Sequence, residues 1–198
     1  SLALTNVSGA DAGTYSVVVS GACGSVTNSA ILTVIDPVIT DSPVSRTNNA
    51  GTTATFSAGT LGTLPLGYQW FWNGTNSLSD GGRISGARSA ALTISNVLGG
   101  DAGSYTMVVT NTLGSATSFP PARLTVVDPI ITRQPVNQTN TVGTTALFSV
   151  EAYGTGPDCQ WFKNGTVISG ATNTTLTVPV VSATNAGGYS AVVSNRFG

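Results

Sequence analysis

Apolar and polar residues alternate with period two along much of this chain. Within residues 105–110 the apolar set is Tyr105, Met107 and Val109, with Thr106, Val108 and Thr110 between them. Successive side chains of an extended strand point to opposite faces, so this spacing predicts a half-buried strand. It recurs at Tyr15, Val17 and Val19, and at Tyr189, Ala191 and Val193. Leu92, Ile94 and Val97 have counterparts in Leu2, Leu4 and Val7 and in Leu176, Val178 and Val181. Ala54, Phe56 and Ala58 have theirs in Ala146, Phe148 and Val150. Turn-forming pairs such as Asn73-Gly74, Ala102-Gly103 and Asp36-Pro37 separate the runs. No segment sustains a helical period. Many short strands at regular spacing predict an all-β sandwich or barrel.

The same comparison of the chain with itself exposes repeats. Residues 2–25, 92–115 and 176–198 align with one another, each carrying a Gly-x-Tyr or Gly-Tyr corner before a Val-rich run. Residues 37–59 match 129–151, Tyr68-Gln-Trp-Phe-Trp-Asn-Gly74 matches Cys159-Gln-Trp-Phe-Lys-Asn-Gly165, and Ile-Ser-Gly-Ala occurs from Ile84 and again from Ile168. The middle copy carries an insertion around Asp80, Gly81 and Gly82. The repeats therefore divide the chain at 1–36, 37–127 and 128–198, with 37–127 a whole copy. A longer parent protein with more copies is expected.

Trp70 and Trp161 sit on predicted central strands, and Asp101-Ala-Gly-Ser-Tyr105 and Asp11-Ala-Gly-Thr-Tyr15 form a corner before the next strand. This combination resembles the immunoglobulin superfamily, with its Trp on strand C and its tyrosine corner at the start of strand F. The resemblance implies two antiparallel sheets with Greek-key connections. It assigns residues 1–36 to strands E–G and leaves 128–198 without a last strand. Phe56, Trp70, Asp101 and Tyr105, with Phe148, Trp161, Tyr189 and Tyr15, become core and corner residues. The places of the family's inter-sheet cysteines hold Phe56 and Phe148 on strand B, and Val17, Met107 and Ala191 on strand F. The inter-sheet disulfide is thus replaced by apolar contact with the Trp. In lacking it, the chain is similar to the tandem Ig-like repeats of very large bacterial surface and secreted proteins. One ion pair is expected, Arg88 with Asp101, because Thr172 and Asn185 replace both charges together in the third copy; chance is the competing explanation.

Charge narrows the function. Lys plus Arg number 7 against 8 Asp plus Glu, and charged residues make up 8%. Nucleic acids and anionic membranes select basic faces, and none is present here. No apolar run approaches the ~20 residues of a membrane-spanning helix. There is no histidine, which removes the commonest general base and metal ligand. The acids are scattered, Lys163 is the lone lysine, and no phosphate-binding glycine motif opens a helix. No enzyme and no cofactor are expected. Calcium is the metal that Asp36 and Asp128, at equivalent Asp-Pro junctions, bring to mind; a stiff Pro linker is the preferred reading. Cys23 and Cys159 stand where one repeat could bridge them, but they belong to different repeats. Cys23 is left to a partner elsewhere, or both are free thiols.

Outward positions also recur. Phe71 and Phe162 on strand C, and Val18, Val108 and Val192 on strand F, predict an apolar stripe, either scattered surface or a packing face between repeats or chains. Trp72 near a strand end offers a sugar platform. The reading is a structural extracellular or cell-surface protein, a stalk or filament of tandem Ig-like domains. Its partners are copies of itself or neighbouring repeats. The alternative is an adhesin or a carbohydrate-binding spacer module that meets a surface glycan.

Overall fold

The computed structural model describes residues 1–198. Residues 1–36 supply a 3-10 turn, Gly9–Asp11, and a hairpin of β1 (Gly13–Gly21) and β2 (Gly24–Leu32). The middle repeat runs through β3 (Val38–Asp41), β4 (Arg46–Asn49), β5 (Ala54–Ser57), β6 (Gly59–Leu61), β7 (Gly67–Trp72), β8 (Asn76–Ser77), β9 (Ile84–Ser85) and β10 (Ala91–Ile94). A 3-10 turn, Gly99–Asp101, then leads to β11 (Gly103–Thr110), β12 (Ser115–Thr117) and β13 (Ala122–Val127). The third repeat holds β14 (Ile130–Arg133), β15 (Ala146–Ser149), β16 (Glu151–Tyr153), β17 (Asp158–Lys163), β18 (Thr166–Val167) and β19 (Thr175–Val178), then the turn Ala183–Asn185 and β20 (Tyr189–Ser194). The all-β expectation holds throughout.

The chain divides into two compact units. The first comprises Ser1–Ser45, Thr55–Ile94 and Gly103–Arg123. In it β7 pairs antiparallel with β11, placing Trp70 opposite Met107, and β8 extends that sheet. β10 pairs with β9 in the facing layer. Phe56 lies between two aromatic rings, its centroid 4.8 Å from Tyr105 and 6.3 Å from Trp70. Phe56, Trp70 and Met107 are all buried. The two cysteine places are thus filled by a ring and a thioether against the Trp, and apolar burial replaces the covalent bridge.

The second unit comprises Arg46–Ala54, Ser95–Ala102 and Leu124–Gly198. Here β4 runs parallel to β13, β15 pairs with β19, and β17 lies between β18 and β20. Trp161, Val150, Leu176 and Cys159 are buried together, with Phe148 and Tyr189 packed against them. Phe148 stacks on Tyr189 at 4.7 Å and tilts against Trp161 at 6.3 Å. The ring separations of the third repeat thus match those of the second within 0.1 Å.

Asn-Gly turns join β7 to β8 and β17 to β18. Asn73 and Gly74 have φ of 48° and 84°, and Asn164 and Gly165 have 48° and 79°. Both Asn-Gly pairs are left-handed; Asn164 and Gly165 make up a two-residue hairpin loop, whose twist this geometry matches, whereas Asn73 and Gly74 belong to a three-residue loop completed by Thr75. The tyrosine corner forms as expected: Tyr15 Oη donates to the Asp11 carbonyl at 2.7 Å, and Tyr189 Oη to that of Asn185 at 2.8 Å.

Two expectations are corrected. Val17 and Val19, placed inward by pattern, are 60% and 68% exposed. Their hairpin has no second layer among residues 1–36 to cover it. The Arg88–Asp101 ion pair does not form: Arg88 is exposed and carries no salt bridge. It precedes β10 while Asp101 follows it, and the strand's four residues alone extend about 13 Å at ~3.3 Å per residue. The corner carboxylate instead accepts the Leu98 N–H at 2.8 Å, and in the third repeat Asn185 Oδ1 accepts that of Ser182 at the same distance. A neutral amide makes the same cap bond in the third repeat. Arg88→Ala is accordingly expected to leave the thermal midpoint within the ordinary surface range of about ±0.5 kcal/mol; a loss above ~1 kcal/mol in a thermal melt overturns this placement.

Candidate functional site: the joints between repeats

Asp36 and Asp128, each before a proline, stand where one repeat passes into the next. In the first unit the Asp36 carboxylate gathers donors from three separate stretches. Gly9 N–H donates to Oδ2 at 2.8 Å, Thr63 N–H to Oδ1 at 2.9 Å, the Thr63 hydroxyl to Oδ2 at 2.5 Å and Asn111 Nδ2 to Oδ1 at 2.6 Å. In the second unit the same donors converge on Asp128. Gly99 N–H donates at 2.7 Å, Thr155 N–H at 2.9 Å, the Thr155 hydroxyl at 2.6 Å and Asn195 Nδ2 at 2.8 Å. Both asparagines also reach the neighbouring threonine carbonyl at 3.1 Å.

Each joint therefore ties a 3-10 turn of the preceding repeat to two loops of the following one. The loops approach closely enough to require glycine. A Cβ on Gly154 would lie 2.2 Å from Asp128 Oδ1 and 2.9 Å from the Pro129 Cα, and one on Gly62 would meet Asp36 Oδ1 at 2.7 Å. An apolar residue closes the other side, Leu113 against Gly9 and Phe197 against Gly99.

Electrostatics follow from this donor set. The Thr63 hydroxyl, then its N–H, then those of Gly9 and Asn111 hold the Asp36 carboxyl at about 2, below its ordinary 3.8, against an opposing push from burial. Burial acts most strongly on Asp128 and would raise it, but the Thr155 hydroxyl, the two N–H groups and Asn195 together bring it down. Because both values fall when the joint closes, closure is favoured most above about pH 4 and loses that advantage as pH drops through the depressed value. A carbon-detected titration should find the Asp36 carboxyl midpoint near 2; a midpoint at its ordinary value refutes the closed joint.

Calcium takes six to eight oxygens, whereas each carboxylate here already meets N–H and O–H donors. Asp41 is turned to its own neighbour, accepting the Thr40 hydroxyl at 3.0 Å, and no cluster of three metal-binding side chains forms. The cysteines are both free, Cys23 exposed and Cys159 buried, where burial pushes its thiol up. Cys23 occupies the tip position that Leu113 and Phe197 hold in the other copies. Along the predicted stripe, Phe71, Val108 and Phe162 are half-buried, while Val18 and Val192 are 58% and 52% exposed. Trp72 is half-buried, and its Nε1 is shielded from solvent without a hydrogen-bond partner; a Cβ on Gly103 would stand 2.5 Å from that atom. It is not the open ring a sugar platform needs.

The immunoglobulin I-set domain matches residues 37–126 and 129–198. The chain belongs to the immunoglobulin I-set family. The Caenorhabditis elegans protein "Muscle M-line assembly protein unc-89" is 31% identical over 205 residues, covering 95% of this I-set chain and 2% of the relative. "Roundabout homolog 1" of Mus musculus is 30% identical over 184 residues, covering 85% of the chain and 11% of the relative. The I-band fragment I67-I69 from titin has a TM-score of 0.48 at 20% identity, covering 96% of this chain and 72% of that one. The I-set chain thus spans a small fraction of its curated relatives. "Endoglucanase C" of Cellulomonas fimi is 38% identical over 90 residues, covering 43% of the chain and 8% of the relative, so the matches do not confirm the expected bacterial source.

The joint donors were missed by sequence reasoning, although their signal was present. Gly62-Thr63 recurs as Gly154-Thr155, and Asn111-x-Leu-Gly114 recurs as Asn195-x-Phe-Gly198. Each pair flanks a strand that the repeat alignment had already placed.

Proposed function

We propose that this I-set chain is a stiffened segment of a structural or adhesive protein outside the cell, one that spaces other parts of its parent without chemistry of its own. The observation that carries this reading is the double occurrence of the carboxylate joint, built from equivalent residues at Asp36 and Asp128. A flexible tether needs no such convergence. Soluble interdomain linkers bend by default unless specific contacts hold them, and here one anion uses four donors at each joint. Family membership supports a structural or adhesive role, and the composition supports the absence of catalysis.

Nitrogen relaxation of the labelled chain tests this. Adjacent repeats are expected to share one tumbling time, with and without a calcium chelator. Independent tumbling in the plain buffer overturns the stiff joint. Uncoupling by the chelator alone shows that a metal, not the hydrogen-bonded carboxylate, holds it.

A further inference from the structure

The first residue of the 3-10 turn differs between the repeats. It is Gly9 in the first, Gly99 in the second and Ala183 in the third. At the two joints this residue has two tasks: its N–H donates to the junction carboxylate, and its bare Cα receives the apolar tip of the next repeat. A Cβ on Gly99 would stand 2.3 Å from Phe197 Cγ and 2.5 Å from Cδ2. A Cβ on Gly9 would stand 2.2 Å from Leu113 Cδ1 and 2.9 Å from Asp36 Oδ2. These separations lie far inside van der Waals contact.

The turn itself does not need glycine. In the third repeat the Ala186 N–H reaches the Ala183 carbonyl at 3.3 Å, against 3.2 Å for Ala102 to Gly99. The cap bond is 2.8 Å long in both. The methyl is therefore tolerated by the turn and excluded only by what docks on it. Gly99 is buried beneath Phe197.

We propose that this position is the determinant of which repeats are clamped. Glycine admits a following repeat with an Asp-Pro entry and an Asn-x-apolar-Gly tip, and Ala183 refuses it, making the turn face of the third repeat the site of a looser joint. The inference rests on the stiff-joint reading above and adds to it a code for where stiffness stops.

The test compares three proteins by amide hydrogen exchange: the unaltered chain, Gly99→Ala and Gly9→Ala. Thr155 and Thr63 report their own joints, and the Trp161 and Met107 amides report the folded cores. Gly99→Ala is expected to speed exchange at Thr155 by about tenfold or more while core amides keep their protection. A smaller effect is expected at Thr63 in Gly9→Ala, because the Leu113 methyl can turn aside more readily than the Phe197 ring. Thr155 exchange within about twofold of the unaltered chain refutes the glycine code and leaves the stiff joint standing. Rapid exchange at Thr155 in the unaltered chain refutes the joint itself, and the code with it. In a chain lengthened by a second copy of residues 115–198 after Gly198, Ala183 faces a new joint. There Ala183→Gly is expected to slow exchange at the added Thr155 counterpart by a similar factor; no change overturns the proposal.

Discussion

Trp70→Ala is expected to cost the middle repeat about 3–5 kcal/mol, the range for removing a buried aromatic side chain. Trp70 is fully buried, tilts against Phe56 at 6.3 Å and sits opposite Met107 across the sheet. Its Nε1 donates to the Ser89 carbonyl at 2.9 Å, so truncation also leaves that acceptor unpaired. In antibody domains a disulfide shares the load at this point. Here Phe56 and Met107 occupy its places, and nothing covalent remains to hold the two layers when the indole is gone. With total stabilities of ~5–15 kcal/mol for a domain, a loss of this size brings the repeat near its unfolding threshold. Denaturant unfolding followed by tryptophan fluorescence gives the number. A cost under ~1 kcal/mol would falsify the account of a core organised on this ring. The equivalent change at Trp161 should act on the third repeat, where Phe148 lies at the same 6.3 Å.

The second large effect belongs to Asp128→Asn. Asp128 is only 3% exposed, and its oxygens accept from Gly99, twice from Thr155 and from Asn195. An amide has one oxygen, and its NH2 must face at least one of these donors. The substitution removes the charge that strengthens each bond and leaves buried partners unsatisfied. The expected weakening of the closed joint is about 2–4 kcal/mol. The amides of Gly99 and Thr155 should then exchange roughly 30- to 1000-fold faster, since 1.4 kcal/mol is a factor of ten. Protection unchanged at both amides would show that apolar contact at Gly99 closes the joint without the carboxylate.

The period-two pattern and the repeat alignment made the strands, the Trp core and the tyrosine corners legible. Those features depend on residues close in sequence or on recurrence in register. The joint was legible only as two Asp-Pro pairs. Its donors come from loops, where no periodicity points, and Thr63 and Asn111 look like ordinary turn residues until the fold brings them to Asp36. Arg88 failed for the converse reason. Two charges covarying over only two copies suggested contact, yet the intervening strand keeps them at opposite ends. Val17 and Val19 show a third limit. Alternation identifies the face a strand would bury but not whether a second layer is there to bury it.

The wiring of the joint also fixes an order in time. Asp36 takes one donor from Gly9, which precedes it by 27 residues, and another from Asn111, which follows it by 75. During synthesis the carboxylate leaves the ribosome long before its last ligand exists. The donor set at the seam between two repeats is complete only once the later repeat has formed its final hairpin. Each domain thus folds beside a neighbour to which it is not yet committed, and attachment comes as the closing act. For adjacent repeats of such similar sequence, that delay separates the folding of one from the capture of the next.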